Sequence, residues 1–346
     1  MTDDDTTPGW DAIDAALARV YPGVEPLHYG TLIKFMLGGP DPLDGISLYR
    51  REDHWHLIGY GMSELYTKEW EDPAESGWGF EFTIRVAAAP GDDEPPVWAA
   101  SLLQNLARYV FASGNPFGPG HHMNLNGPIS LARPDTAIRA VAFADDPELG
   151  VIDTPHGRVR FLQVVGLTLE EYEAVERWDT ERLLGVLRGR LPLLVTDLDR
   201  ADLTGDPEVA AAIAEGSRRE GSSTGALFVA DAGWRADGAT TTLRFGANAA
   251  PRLGRVLTAR LAHGRDLIVG GPDGTVIFRP ADAFATAGLD DGTLEVRLPA
   301  ALAAELADVL RPVAGTYPLA TAPALAVQIM RSQIRDTDGN VVAEIG

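Results

Sequence analysis

Residues 220–224, EGSST, break the sequence into two halves with different rhythms. Upstream, strand-like alternation is interleaved with helical periodicity. Downstream the pattern turns strand-rich, with expected strands at 226–230, 242–245, 255–262, 266–269, 275–278 and 294–298. Two Ala-rich helices are expected near 281–287 and 299–310, then a strand at 325–334, a turn at Asp338-Gly339 and a last strand at 341–345. The chain has 346 residues. At roughly 150 residues per domain, that length and this break point to about two domains, with no internal repeat.

The upstream half reads in more detail. Thr7 and Pro8 are an N-cap and a first helical position, and Trp10, Ile13, Leu17 and Val20 recur at helical spacing, so residues 8–20 are expected to be an amphipathic helix. TLIKFML (31–37) reads as a strand or short helix, stopped by GGPDP at 38–42. Strands are expected at 46–49, 54–60 and 79–86. In the last of these Phe80, Phe82 and Ile84 take one face, and Glu81, Thr83 and Arg85 the other. A helix over 98–112 carries Trp98, Leu102, Leu106 and Tyr109 on one stripe and ends at Gly114, before a Gly/Pro/Asn/His-rich loop at 115–127. A buried strand is expected at 159–165. Thr168 with Glu171 forms a capping box opening a helix to about Trp178. A helix at 180–188, a strand at 193–197 and a helix from Asp206-Pro207 to Gly216 follow.

Composition excludes several functions. The formal net charge is −21, which repels phosphate backbones and anionic lipid, so neither nucleic acid nor a membrane surface is an expected partner. There is no cysteine, hence no disulfide, thiol chemistry or zinc–thiolate site. The acidic start MTDDDTTPGW has no apolar signal-peptide core, and no apolar run approaches the roughly 20 residues of a membrane span, so a cytoplasmic protein is expected. No nucleophile elbow, P-loop or dinucleotide fingerprint occurs. DTDGN at 336–340 lacks the order and terminal Glu of a calcium loop and reads as a hairpin turn.

Two features remain. His54 and His56 leave one face of a strand, and His121-His122 lie in the loop; together these pairs define one alternative, a metal-dependent hydrolase. The competing reading is ordinary hydrogen-bonded strand and loop histidines, with no metal, no cofactor and no enzyme activity. The second feature is aromatic density, including Trp70, Trp78, Tyr109, Phe111 and Phe117, which suits a core and also a peptide groove.

Ordered segments then converge on a resemblance: LGGPDPLDGISLYR (37–50), HWHLIGYGMSELY (54–66), GWGFEFTIR (77–85), LLQNLARYVFASGNPF (102–117), TPHGRVRFLQVVGLTLEE (154–171) and RLAHGRDL (260–267). Across roughly 9–334 the chain resembles the Suppressor of fused family. The resemblance implies an α+β fold of two mixed-sheet domains joined by a short hinge: 8–235 and 238–346, after a disordered tail at 1–7. It implies a monomeric, non-enzymatic binding protein that clamps an extended peptide between its domains as an added strand. In animals the family sequesters the zinc-finger transcription factors of Hedgehog signalling; bacterial members act as immunity proteins against polymorphic toxins, and the Ala, Gly and Arg content here resembles theirs. Carried over position by position, the peptide-contacting residues fall on Tyr109, Phe117, His121 (where animal members have an aspartate), Asp145, Ala226 and Leu243. The expected partner is a protein or peptide, a basic toxin fitting the −21 charge.

Overall fold

The computed structural model describes residues 6–89, 91, 93–238, 240–290, 292–335 and 340–346. The chain forms two compact units. The first comprises Met1–Tyr172 and Thr180–Asp206, the second Glu173–Asp179 and Pro207–Gly346.

The first unit opens with helix α1 (Pro8–Val20), where the sequence places it. Strands β1 (Leu27–Gly30), β2 (Gly45–Arg50), β3 (His54–Tyr60) and β4 (Glu75–Ala87) follow. Next come helix α2 (Val97–Ser113) and strands β5 (His122–Asn124), β6 (Ile138–Asp145), β7 (Val151–Thr154) and β8 (Gly157–Thr168). All eight strands join one mixed sheet, ordered β1-β2-β3-β4-β8-β6-β5, with β7 hairpinned onto β8. The β4–β8 pair is parallel. On one face α2 buries Leu103, Leu106 and Val110 against Leu57, Phe82, Ile84, Phe143 and Val164. On the other, α1 buries Ile13, Leu17 and Tyr21 against Tyr49, Ile58, Tyr60 and Phe161. Gly114 ends α2 in the left-handed conformation (φ 71°), which glycine adopts without a Cβ penalty, and its N–H donates to the Val110 carbonyl.

Helix α3 (Leu169–Arg177) starts on the expected capping box. The Thr168 N–H donates to Glu171 Oε2 (3.0 Å), and the Glu171 N–H donates to Thr168 Oγ1 (3.2 Å). Arg200 closes both Glu171 oxygens at 2.6 Å in a buried fork. Helix α4 (Thr180–Leu187) completes the helices of the first unit.

The second unit contains helix α5 (Pro207–Glu220), strands β9 (Ala226–Phe228), β10 (Ala232–Asp237) and β11 (Thr240–Gly246), and helix α6 (Ala250–Leu261). Strands β12 (Leu267–Gly271), β13 (Gly274–Pro280), β14 (Ala285–Asp290) and β15 (Thr293–Leu298) precede helix α7 (Ala300–Val309). Strands β16 (Gly315–Pro318), β17 (Leu325–Met330), β18 (Ser332–Arg335) and β19 (Val341–Ile345) close the chain. They form a sheet β10-β11-β17-β16, a second sheet β14-β15-β13-β12-β9 and a β18–β19 ribbon. Side chains of α6 and α7, among them Leu253, Leu257, Leu302 and Leu306, fill one core with Phe245, Phe278, Val296 and Val327.

Several expectations change. Residues 255–262 belong to helix α6: Leu253, Val256, Leu257 and Leu261 are buried at i, i+3, i+4 and i+8, a helical stripe. Residues 285–290 form the wholly exposed edge strand β14, not a helix. Segment 193–197 is a 3-10 turn at Pro192–Leu194 followed by a single bridge from Thr196 to Val86. Helix α5 runs through Gly216 to Glu220; the glycine is there for packing, since a Cβ would strike the Trp178 ring, and it does not end the helix. The expected hinge at 236–237 falls inside the β10–β11 hairpin, whose six paired positions make it one continuous element. The turn at Asp338-Gly339, residues 336–339 of the DTDGN segment and most of the 1–7 tail lie outside the described residues.

Candidate functional site

Strand β5 is the last strand on its side of the first unit's sheet, and it is built inside the Gly/Pro-rich loop that the sequence left irregular. Its register on β6 (Met123 opposite Val141) is extended upstream by Gly120 N–H to the Phe143 carbonyl and Phe143 N–H to the His121 carbonyl, both 2.9 Å. Three rings stand beside this edge. Tyr109 stacks on Phe117 (5.4 Å, 25°), and Phe117 stacks on Phe143 (4.2 Å, 15°). Phe143 is fully buried, Phe117 half-buried and Tyr109 is 42% exposed, so the stack is a column anchored in the core and open at its outer end. Asp145 lies two residues beyond Phe143 on β6, so both side chains leave the strand on one face; the Asp145 carboxylate is paired with Arg160. The His121 ring is exposed and accepts the Gly118 N–H at Nδ1 (3.3 Å). Tyr109, Phe117, His121 and Asp145 thus gather around one sheet edge. Phe143 is the member that sequence reasoning did not single out; its place opposite the loop depends on strand register.

In the second unit Ala226 is exposed on β9, the edge strand of its sheet. It alternates with buried Leu227 and with Phe228, which is 81% exposed. Leu243 is a different case. It sits on β11 in the other sheet and is completely buried, packed with Phe245 and Val327 in the core. Its side chain holds the sheet and offers no surface to a peptide, which corrects the expectation.

The histidine pairs do not assemble. Strand β3 carries His54 and His56, and β5 carries His122; β4, β8 and β6 lie between them. At about 4.8 Å per strand that is roughly 19 Å. Among the described residues no group of three or more His, Asp or Glu is placed to hold a metal ion. His54 Nδ1 pairs with Asp53 (2.6 Å) and His122 Nδ1 with Thr180 Oγ1 (3.1 Å). His56 Nδ1 accepts from the Tyr21 hydroxyl (2.6 Å), and its Nε2 donates to Asp146 (3.1 Å). The hydrolase alternative therefore has no geometric support.

His56 belongs instead to a polar core that the alternation of β4 creates. Both faces of the sheet are covered, so Glu81, Thr83 and Arg85 are all fully buried. Arg85 grips Asp146 with both terminal nitrogens (2.6 and 3.1 Å) and reaches Glu148 (2.8 Å) and Gln163. Asp146 also accepts Thr83 Oγ1 (2.9 Å) and the amides of Glu148 and Leu149 (2.9 and 3.0 Å). Burial alone would raise the Asp146 carboxyl, but the donors from His56 and Arg85 hold it well below the carboxylate range. Burial, reinforced by the Arg85 charge, pushes the His56 imidazole down to about 4. This cluster is structural: it ties the 146–149 turn to the sheet.

Residues 39–201, most of the first unit, match the model of the family described as Suppressor of fused protein (SUFU). The human and mouse Suppressor of fused homologs are each 36% identical over 235 residues, covering 62% of this chain and 48% of theirs. The chain thus spans about half the length of the curated relatives it matches. The crystal structure of Drosophila Suppressor of Fused superposes with TM-score 0.76 over 95% of this chain and 99% of that one, at 23% identity, which establishes the shared fold. A chain from a Sufu–Fu complex structure superposes with TM-score 0.56 at 33% identity, covering 60% of this chain and 98% of its own length. With the fold, the matched first unit and these identities together, the chain belongs to the Suppressor of fused family.

Proposed function

We propose that this protein is a non-enzymatic binding module that takes an extended segment of a partner protein as an added strand at the β5 edge, with Tyr109 and Phe117 as anchors. The observation that carries the reading is the ring column beside an edge strand. Main-chain hydrogen bonds along an edge supply affinity for any extended segment, and an aromatic column beside it selects the side chain. The Sufu–Fu complex, a protein–protein assembly by its description, supports a protein partner. Ala226 on β9 marks a second edge of the same kind, in the second unit. The finer reading is that of an immunity protein in a bacterial cytoplasm, whose partner is a basic toxin drawn by the −21 charge.

The test is a pull-down from host lysate with identification by mass spectrometry, comparing wild type with Tyr109→Ala and with Tyr109→Ala/Phe117→Ala. A partner held by wild type and weakened by about 2 kcal/mol or more in the variants is expected. Equal retention by all three would remove the β5 edge as the site. Binding to that partner should also weaken as salt rises, and salt-independent binding would remove the electrostatic part.

A further inference from the structure

The first unit has a second surface that the β5 reading leaves unused. A cavity of about 230 Å³ is walled by Phe35, Trp70, Trp78 and Phe111, with Glu64 and Glu69 also lining it. The four rings form a continuous edge-to-face chain: Phe35–Phe111 at 4.9 Å, Phe111–Trp78 at 5.6 Å and Trp78–Trp70 at 5.2 Å. Phe111 follows Tyr109 by two residues on α2, roughly 200° around the helix, so this cavity and the Tyr109 column use different faces.

The cavity is built rather than incidental. Its wall from Gly61 to Trp78 is held by two inward carboxylates. Glu81 accepts the amides of Gly61, Met62 and Ser63 and the Ser63 hydroxyl. Glu64 accepts the amides of Glu69, Trp70 (2.6 Å) and Gly77 (3.2 Å). The opposite lip is a hydrogen-bonded turn: Leu37 N–H to the Lys34 carbonyl and Gly38 N–H to the Phe35 carbonyl, both 2.9 Å. On this satisfied backbone Leu32 is fully exposed, and Ile33, Met36 and Leu37 are more than half exposed. A contiguous apolar lip beside an aromatic cavity marks a docking surface.

Charge selects the occupant. Of the lining carboxylates Glu64 is already paired with Lys68 (2.9 Å), whereas Glu69 has no ion-pair partner among the described residues, and Asp44 lines the cavity too. One cation of the chain already uses this chemistry: Lys34 stands over the Tyr66 ring at 4.1 Å, and Tyr66 donates to Asp44 (2.7 Å). We infer that this cavity docks a partner segment in which an apolar side chain neighbours an arginine or lysine. The apolar group lies on the Leu32–Leu37 lip, and the cation stacks on Trp70 within reach of Glu69. Arginine fits best, because its planar guanidinium stacks on indole while pairing a carboxylate.

The test uses labelled synthetic peptides of alternating leucine and arginine, with leucine–glutamate and leucine–serine counterparts, in fluorescence anisotropy. The arginine peptide is expected to bind wild type and the glutamate peptide not to. Trp70→Ala, at a half-exposed position, should weaken binding about tenfold or more, and Glu69→Lys several-fold. Tyr109→Ala should leave it unchanged, which separates this site from the β5 edge. The inference is overturned if no arginine peptide binds, if the glutamate peptide binds as well, or if Trp70→Ala has no effect. It is also overturned if sedimentation shows a wild-type dimer that Trp70→Ala dissolves, since the occupant is then a second copy.

Discussion

Removing the Asp146 carboxylate should be among the most damaging single changes in the first unit. Six hydrogen bonds end on its two oxygens: two from Arg85 and one each from His56, Thr83 and the amides of Glu148 and Leu149. Among the described residues Asp146→Ala leaves the fully buried Arg85 side chain with Gln163 and the partly exposed Glu148. Breaking a buried pair by deleting one partner costs about 3–5 kcal/mol, mostly because the other charge stays buried. That is a large share of a domain's total of roughly 5–15 kcal/mol. The assay is urea unfolding, with the first unit's transition assigned by hydrogen exchange at β3, β4 and β8. Arg85→Met alone should also destabilise. The Arg85→Met/Asp146→Ala double variant should be more stable than the two single losses added together, by about 1–3 kcal/mol, because no orphaned guanidinium remains. A loss under about 1 kcal/mol for Asp146→Ala, or strict additivity in the cycle, would refute the view that a paired charge holds this turn to the sheet.

Other outcomes follow from the same geometry. His56 titrates near 4 when folded and near 6.5 when unfolded, so only the unfolded chain takes up a proton between those values; its contribution is complete above about pH 6.5 and is lost as pH falls towards 4. Between pH 7 and pH 5 wild type should lose about 2 kcal/mol more than His56→Gln, read from urea midpoints. Glu81→Gln, placing an amide group among the Gly61, Met62 and Ser63 donors, should cost about 1–3 kcal/mol and speed amide exchange in that loop. Gly216→Ala, forcing a Cβ into the Trp178 ring, should cost about 1–3 kcal/mol and shift the Trp178 indole resonance. An unchanged melting temperature would mean that α5 moves freely off that ring.

Local sequence was legible where one signal decided the outcome. Pro8 at the first helical position, Gly114 and the Thr168–Glu171 box mark helix ends by local chemistry, and α1, α2 and α3 begin or stop there, although Thr7 makes no side-chain cap. Long-range pairing was not legible. Strand β5 is only three residues of HMN in a loop and exists because β6 accepts it. Residues 255–262 alternate as well as they spiral, and the α6 stripe is decided by the core it meets. Glu81, Thr83 and Arg85 showed a polar face, but only the covering of that face reveals their ligands. At the site, the residues gathered at β5 were carried by family resemblance. Leu243 was placed by matching a strand position to the family's leucine, and such a match does not disclose that its side chain is buried in its own sheet.

The chain crosses between its units three times, after Tyr172, Asp179 and Asp206. The heptapeptide 173–179 gives the second unit Glu176, which is fully buried and meets both Arg252 (2.5 Å) and Arg255 (2.8 Å) of α6. It also gives Trp178, whose indole donates to Glu220 (2.8 Å). On the ribosome these two side chains emerge before their partners on α5 and α6 and must wait for them, while synthesis passes the end of the first unit's last segment. No single cut yields both units intact: a break at 206 strands the heptapeptide, and a break at 172 strands Thr180–Asp206. Separating them requires a rewired chain order, and a plain truncation read as a domain experiment would report on a damaged core.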